Sequence, residues 1–280
     1  MRKWYKYILN YENNVKFITK EETETYSAQE KSMGYSLNNG YNSKEDFFRT
    51  HFYNGHPRLK PYHDYLKQNL KKGEEILSIG SGRCVNELLL IEEGFNITCS
   101  DLDQPCREET LRLFPELRFV RYDVTSLPFG RRFDCIISLS VLCLFDENAL
   151  LRIFKNIAES LKPGGRFIVD IGGAVDNFIT RINDEAVCRL EVELICMIQR
   201  LRQRRCVVTR RHGGYRTKND EIISIAEKAG LTLHNLKCSD YLTEIGKRSI
   251  LLGRLPKRFI NAIGAHIPYV RIFTFVKDHE

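Results

Sequence analysis

No run in this 280-residue chain approaches the ~20 apolar residues needed to span a bilayer. The start, MRKWYKYILNYENN, is basic and aromatic but lacks a long apolar segment and a small-residue cleavage site, so no secretory signal is expected. There is no C-x-x-C pair and no Cys/His cluster at zinc spacing, so no metal is expected. The nine cysteines are odd in number. Cys99, Cys135 and Cys143 fall in apolar strand-like runs, where buried thiols are common. A reducing, cytoplasmic setting without disulfides is the expectation. No internal repeat and no low-complexity tract interrupts the chain. What remains, 42% hydrophobic and 11% aromatic residues, is enough for a sizeable core of one to two domains.

The most informative stretch is Glu75 to Asp103, EILSIGSGRCVNELLLIEEGFNITCSDLD. Ile76, Leu77 and Ile79 form a short apolar run that stops at Gly80-Ser81-Gly82. Helix-compatible residues follow from Asn86 to Glu93, Gly94 ends them, and Ile97 to Cys99 begin a second strand. Asp101 then stands at the strand's carboxyl end, the edge where open α/β sheets bind ligands. Glycines there let the backbone approach a ligand, and a carboxylate can take both hydroxyls of a ribose. The third glycine of a dinucleotide turn is missing, since Val85 holds its place, so the expected ligand is a single adenosine-containing group.

Further strands are expected over Leu117 to Tyr122, Phe133 to Leu139 and Arg166 to Asp170. An amphipathic helix spans Asn148 to Leu161, stopped by Lys162-Pro163-Gly164-Gly165. In this order the segments IGSGRC, SDLD, YDVTSLPF, FDCIISLSVLCLFD and LKPGGRFIVD resemble the class I S-adenosylmethionine-dependent methyltransferases, over roughly Glu74 to Asp170. The resemblance implies an α/β fold: a doubly wound, mostly parallel seven-stranded sheet with an N-terminal helical lid and C-terminal helical insertions. It implies S-adenosylmethionine as cofactor, held by Gly80, Ser81, Gly82, Asp101, Leu102, Asp123, Val124 and Ser138. Asp101 would bind the ribose hydroxyls and Asp123 the adenine amino group, beside the Val124 amide. Two positions depart from the family: Ser78 stands in place of an acid, and Cys84 in place of a glycine.

Residues 1–72 are read as the N-terminal lid and 73–280 as the methyltransferase domain, with a cofactor half at 73–171 and a substrate-side half at 172–280. The resemblance makes Tyr41, Phe47, His51, His56 and Arg58 candidate cofactor contacts in that lid, the arginine through the cofactor's carboxylate; the alternative is that they simply cap the sheet. A helix is expected over Glu185 to Arg204, with Leu190, Leu194, Met197, Ile198 and Leu201 as its buried stripe. Another spans Asp220 to Ala229, and strands follow at Leu231 to Tyr241 and Val270 to Lys277. Segment 249–269 reads either as a helical cap or as a basic amphipathic helix that touches a membrane.

The net charge of +7 is uneven, for no acid occurs from Leu194 to Asn219. Arginine suits phosphate or carboxylate, so an anionic acceptor is one explanation of this span and a solvated helix face the other. Arg211, Tyr215 and Arg216 are the candidate contacts, in a tight loop around the pair Gly213-Gly214. Methyl transfer to oxygen benefits from a general base, and the candidates are His212 and His56. The loop after the fourth strand, Ser138-Leu139-Ser140-Val141, lacks the Asn/Asp-Pro-Pro-Tyr/Phe motif of relatives that methylate adenine or glutamine. The expected activity is therefore O-methylation of a small-molecule or sugar/glycan acceptor in biosynthesis. The alternatives are an RNA methyltransferase using the arginine-rich region 200–216, or a non-catalytic binding protein of the same fold. Tyr215 is the only aromatic in that region, so no stable nucleic-acid partner is expected.

Overall fold

The computed structural model describes residues 4–9, 15–17, 41–54, 58–102, 108–172, 175–182, 186, 188–202, 211–238, 252–264, 266–268 and 270–278. In chain order the strands are β1 (Trp4–Leu9), β2 (Val15–Phe17), β3 (Ile76–Ile79), β4 (Ile97–Asp101), β5 (Arg118–Arg121), β6 (Phe133–Leu139), β7 (Leu161–Asp170), β8 (Arg211–Tyr215), β9 (Leu231–Cys238) and β10 (Arg271–Lys277). The α-helices are α1 (Lys44–Phe48), α2 (Leu59–Asn69), α3 (Val85–Glu92), α4 (Glu108–Leu113), α5 (Glu147–Ser160), α6 (Phe178–Ile182), α7 (Cys188–Leu201), α8 (Asn219–Glu227) and α9 (Lys257–Gly264).

Seven strands form the main sheet in the order β5-β4-β3-β6-β7-β10-β9. Strands β3 to β7 run parallel. Strand β10 inserts antiparallel between β7 and β9. Successive side chains on a strand point to opposite faces, and the apolar runs here fill both. Ile76, Ile97, Cys99, Cys135 and Ile137 pack under Tyr62, Leu66, Leu88 and Leu90 of α2 and α3. Leu77, Ile136, Phe167, Phe273 and Phe275 pack under Leu150, Phe154 and Ile157 of α5 and Ile222 of α8. Each fully buried Leu or Phe contributes about 1.5–3 kcal/mol of transfer free energy. The sheet is doubly wound, as the sequence pattern requires.

Local signals explain the boundaries. Helix α5 starts because Asp146, in extended backbone, accepts from the Ala149 amide at 2.8 Å. Helix α3 ends at Gly94, whose φ of +90° suits glycine alone.

Three expectations need correction. The stripe of α7 is not buried: Leu190 is 60% and Leu201 78% exposed, and Leu194, Met197 and Ile198 are exposed with them. The lid carries helices α1 and α2 as expected, but residues 4–9 and 15–17 are strands. The glycine pair at 213–214 is likewise strand rather than loop. Strand β8 pairs antiparallel with β1, Tyr5 opposite Gly214 and Tyr7 opposite His212. These strands form a three-stranded sheet, β2-β1-β8, and β8 packs beside the turn Leu142–Leu144 that follows β6.

Candidate active site

The carboxyl ends of β3, β4 and β6 meet at one edge of the sheet. The turn after β3 is left-handed at three positions: Gly80 (φ 68°), Gly82 (φ 52°) and Cys84 (φ 54°). At Gly80 a Cβ would fall 2.4 Å from Val141 Cγ2, so glycine is needed for packing as well as for dihedral reasons. At Gly82 a Cβ would meet nothing within 4 Å, so that stretch of backbone faces open space. Cys84 keeps a glycine-like dihedral although it carries a side chain. It therefore replaces the family's glycine in identity but not in backbone shape. Serines pin the turn to β4: Ser81 N–H donates to Ser100 O at 3.0 Å, Ser100 N–H to Ser81 Oγ at 3.1 Å and Ser100 Oγ–H to Ser78 O at 2.8 Å.

Asp101 closes the turn from the tip of β4. One carboxylate oxygen accepts from the Gly82 amide at 2.9 Å, the other from the Leu102 amide at 2.8 Å. Each oxygen keeps a lone pair for a ligand. Asp123 stands just beyond β5. It accepts from the Thr125 amide and hydroxyl and from the Ser126 hydroxyl, at 2.9, 2.6 and 2.6 Å. These bonds, that of Ser126 foremost, hold its carboxyl below the usual range. Val124 is buried beside it, its carbonyl accepting from Asn156. Ser138 is fully buried in β6, and its hydroxyl finds no partner among the described residues.

A cavity of about 330 Å³ opens on this turn. Gly80, Ser81 and Arg83 line it from the turn, Asn86 and Glu87 from α3, Arg58 and Tyr62 from the lid, and Leu139 and Ser140 from the end of β6. The N-terminal segment is tied to the turn through His51. Arg83 Nη1 donates to His51 Nδ1 at 3.3 Å, so the other ring nitrogen, Nε2, carries the proton toward Tyr41 Oη. Burial and the Arg83 charge push the His51 pKa down, which keeps the ring neutral. Below, Tyr62 Oη–H donates to Asp170 Oδ2 at 2.6 Å, and Ser140 Oγ lies 2.7 Å from Tyr62 Oη. Burial, with the Asp170 charge second, raises the Tyr62 pKa well above its ordinary value, so it stays a phenol.

Of the candidate catalytic residues, His56 lies outside the described residues. Arg211 and His212 are the first two residues of β8. Tyr215 and Arg216 are buried, 8% and 4% exposed. Residues 203–210 of the arginine-rich region are outside the described part. Glu87 was missed by sequence reasoning, because a glutamate in a helix ordinarily reads as a solvated face. The available signal was its setting in a mostly apolar helix, VNELLLIE, one turn after the glycines. Among the described residues no group of His, Cys, Asp and Glu could hold a metal ion. Nor is any described helix long and apolar enough to cross a membrane.

The sheet order, with the glycine turn after the central β3 and an acid at the tip of β4, defines a class I methyltransferase fold. Residues 76–165 match the family described as "Methyltransferase domain". No curated protein matches the sequence. Among solved structures, the chain is similar to magnesium protoporphyrin IX methyltransferase from Synechocystis with bound SAH, at 15% identity and TM-score 0.53, covering 93% of this chain and 100% of that one. It is also similar to 1,6-didemethyltoxoflavin-N1-methyltransferase from Burkholderia thailandensis, at 16% identity and TM-score 0.54, covering 95% and 93%. The family match covers residues 76–165, and the structural likeness extends the same fold over most of the chain.

Proposed function

We propose that the protein transfers a methyl group from S-adenosylmethionine to an oxygen of a small-molecule or glycan-like acceptor. The observation that carries this reading is the left-handed turn at Gly80–Cys84, closed by Asp101 and opening on the cavity. The site fits the cofactor in three respects. The backbone at Gly82 is open, Asp101 is oriented by two amides, and the cavity is of ligand size, since small-molecule pockets hold about 300–1,000 Å³. Asp101 would take the ribose hydroxyls, with Leu102 beside it. Asp123, Val124 and Ser138 would border the adenine. Gly80, Ser81 and Gly82 would contact the cofactor through their backbone.

When bound, S-adenosylmethionine supplies a methyl group already activated on a sulfonium. The chain's own residues have to hold the acceptor in line with that methyl group and keep water out, and positioning supplies much of the rate. Strand β8 lies beside the turn after β6, which supports a substrate-side role for Arg211, His212 and Tyr215. We assign His212 as the general base that takes the acceptor proton. Arg211, Tyr215 and the neighbouring Arg216 are the proposed contacts for an anionic acceptor. Residues 73–171 then form the cofactor half and 172–280 the substrate-side half, under a lid from 1–72.

Calorimetry with S-adenosylhomocysteine tests the reading. Saturable binding with protection against thermal unfolding is the expected result. The absence of both would leave a non-catalytic protein of the same fold. With labelled S-adenosylmethionine, loss of transfer on His212→Ala with unchanged cofactor affinity would support the assigned base; unimpaired transfer would remove it.

A further inference from the structure

The cavity holds a buried carboxylate that the reading above does not use. Glu87 is 4% exposed and lines the cavity from the first turn of α3. Its Oε1 accepts from Ser78 Oγ–H at 2.7 Å. Among the described residues no cation pairs with it. Burial, the largest effect, raises its pKa. A carboxylate taken out of water without a cation is costly to keep, so a built site of this kind calls for a positive group. Asn86, its chain neighbour, lines the same cavity, and its buried Oδ1 finds no hydrogen-bond partner among the described residues. The cavity thus presents two acceptors suited to an ammonium. It also contains Arg58 and Arg83, which suit a carboxylate. An ammonium and a carboxylate on one carbon is the head of an α-amino acid.

We propose that Glu87, oriented by Ser78 and assisted by Asn86, binds the α-ammonium of the amino-acid end of the methyl donor, while Arg58 and Arg83 face its carboxylate. The inference rests on the cofactor reading above and assigns one end of that ligand. It also accounts for the serine at 78. The acid absent from the strand is supplied by the helix facing it, and the serine hydroxyl joins the two positions.

The test compares two probes that differ only in that end: S-adenosylhomocysteine, and 5′-methylthioadenosine, which lacks the amino-acid head. In Glu87→Gln, affinity for S-adenosylhomocysteine is expected to fall about tenfold or more, while affinity for methylthioadenosine stays unchanged. Adding Ser78→Asp to Glu87→Gln is expected to recover much of the loss. If the unaltered protein binds neither probe, the cofactor reading itself fails. If it binds S-adenosylhomocysteine and Glu87→Gln does so equally well, the Glu87 assignment alone is overturned. Equal loss of both probes overturns it too, since Glu87 would then serve only the fold. The unaltered protein gives a second measurement that needs no variant. Below neutral pH, affinity for S-adenosylhomocysteine is expected to rise with pH as Glu87 ionises, while affinity for methylthioadenosine stays flat. Parallel pH profiles would overturn the assignment.

Discussion

Tyr62 and Asp170 are 108 positions apart, and the tyrosine hydroxyl donates to the carboxylate at 2.6 Å. The bond joins α2 to the tip of β7, beside the cavity that Tyr62 lines. Asp170 is fully buried, and its other oxygen accepts from the Arg271 amide at 3.0 Å. Tyr62→Phe leaves Asp170 Oδ2 with only the longer contact from Ser140 Oγ, at 3.3 Å. The variant is expected to lose about 1–3 kcal/mol, read from urea unfolding. An unchanged midpoint would mean that the bond does not fix the lid.

Gly80→Ala places a methyl group against Val141 at a φ of +68°. The left-handed conformation and the overlap together are expected to cost about 2–4 kcal/mol. Trimming the neighbour in Gly80→Ala/Val141→Ala should return only the overlap share. A double variant no better than the sum of the two single changes would refute the contact.

Asp101→Ala removes the acceptor for the Gly82 amide and the proposed ribose partner together. Cofactor affinity is expected to fall by at least about 1–3 kcal/mol, measured with S-adenosylhomocysteine. Asp101→Asn keeps one acceptor oxygen and is expected to fall between the two. Equal affinity in Asp101→Ala would remove the ribose assignment.

Asp123 titrates below its ordinary value because Ser126 and Thr125 hold its ionised form. A depressed folded pKa means stability that is present above the unfolded value, near ~3.9, and is lost as pH falls through the folded one. The Asp123→Asn variant should therefore match the parent protein in strong acid and trail it at neutral pH. Parallel stability curves across that range would show that the two hydroxyls contribute nothing.

The central half of the fold is legible in the sequence because both of its signals are local. Strands β3, β4 and β6 and the second half of β7 are short, mostly apolar runs, and the turns after β3 and β4 carry their glycines or acid at the strand end. The glycine turn, Asp101 and Asp123 are found for the same reason. What escapes is whatever depends on a distant partner. Strand β8 carries two glycines and reads as a loop until β1, some 200 residues earlier, pairs with it. The periodicity of α7 is that of a buried stripe, yet it says nothing of what would cover it. Cys84 conceals a glycine-like backbone behind a cysteine letter, which only the dihedral exposes. Glu87 becomes meaningful once the cavity and Ser78 are in place around it.

Among the described strands β10 comes last in the sequence, yet it sits between β7 and β9. Its first residue, Arg271, is wholly buried and donates to Gly172 O, Thr217 O, Thr217 Oγ1 and Asn219 Oδ1. During synthesis, then, the sheet must stay open on one side until this strand leaves the ribosome. The earlier strands can assemble the nucleoside end of the crevice beforehand, but β9 has no neighbour in the sheet until β10 inserts. Closure of this sheet is thereby tied to the emergence of β10.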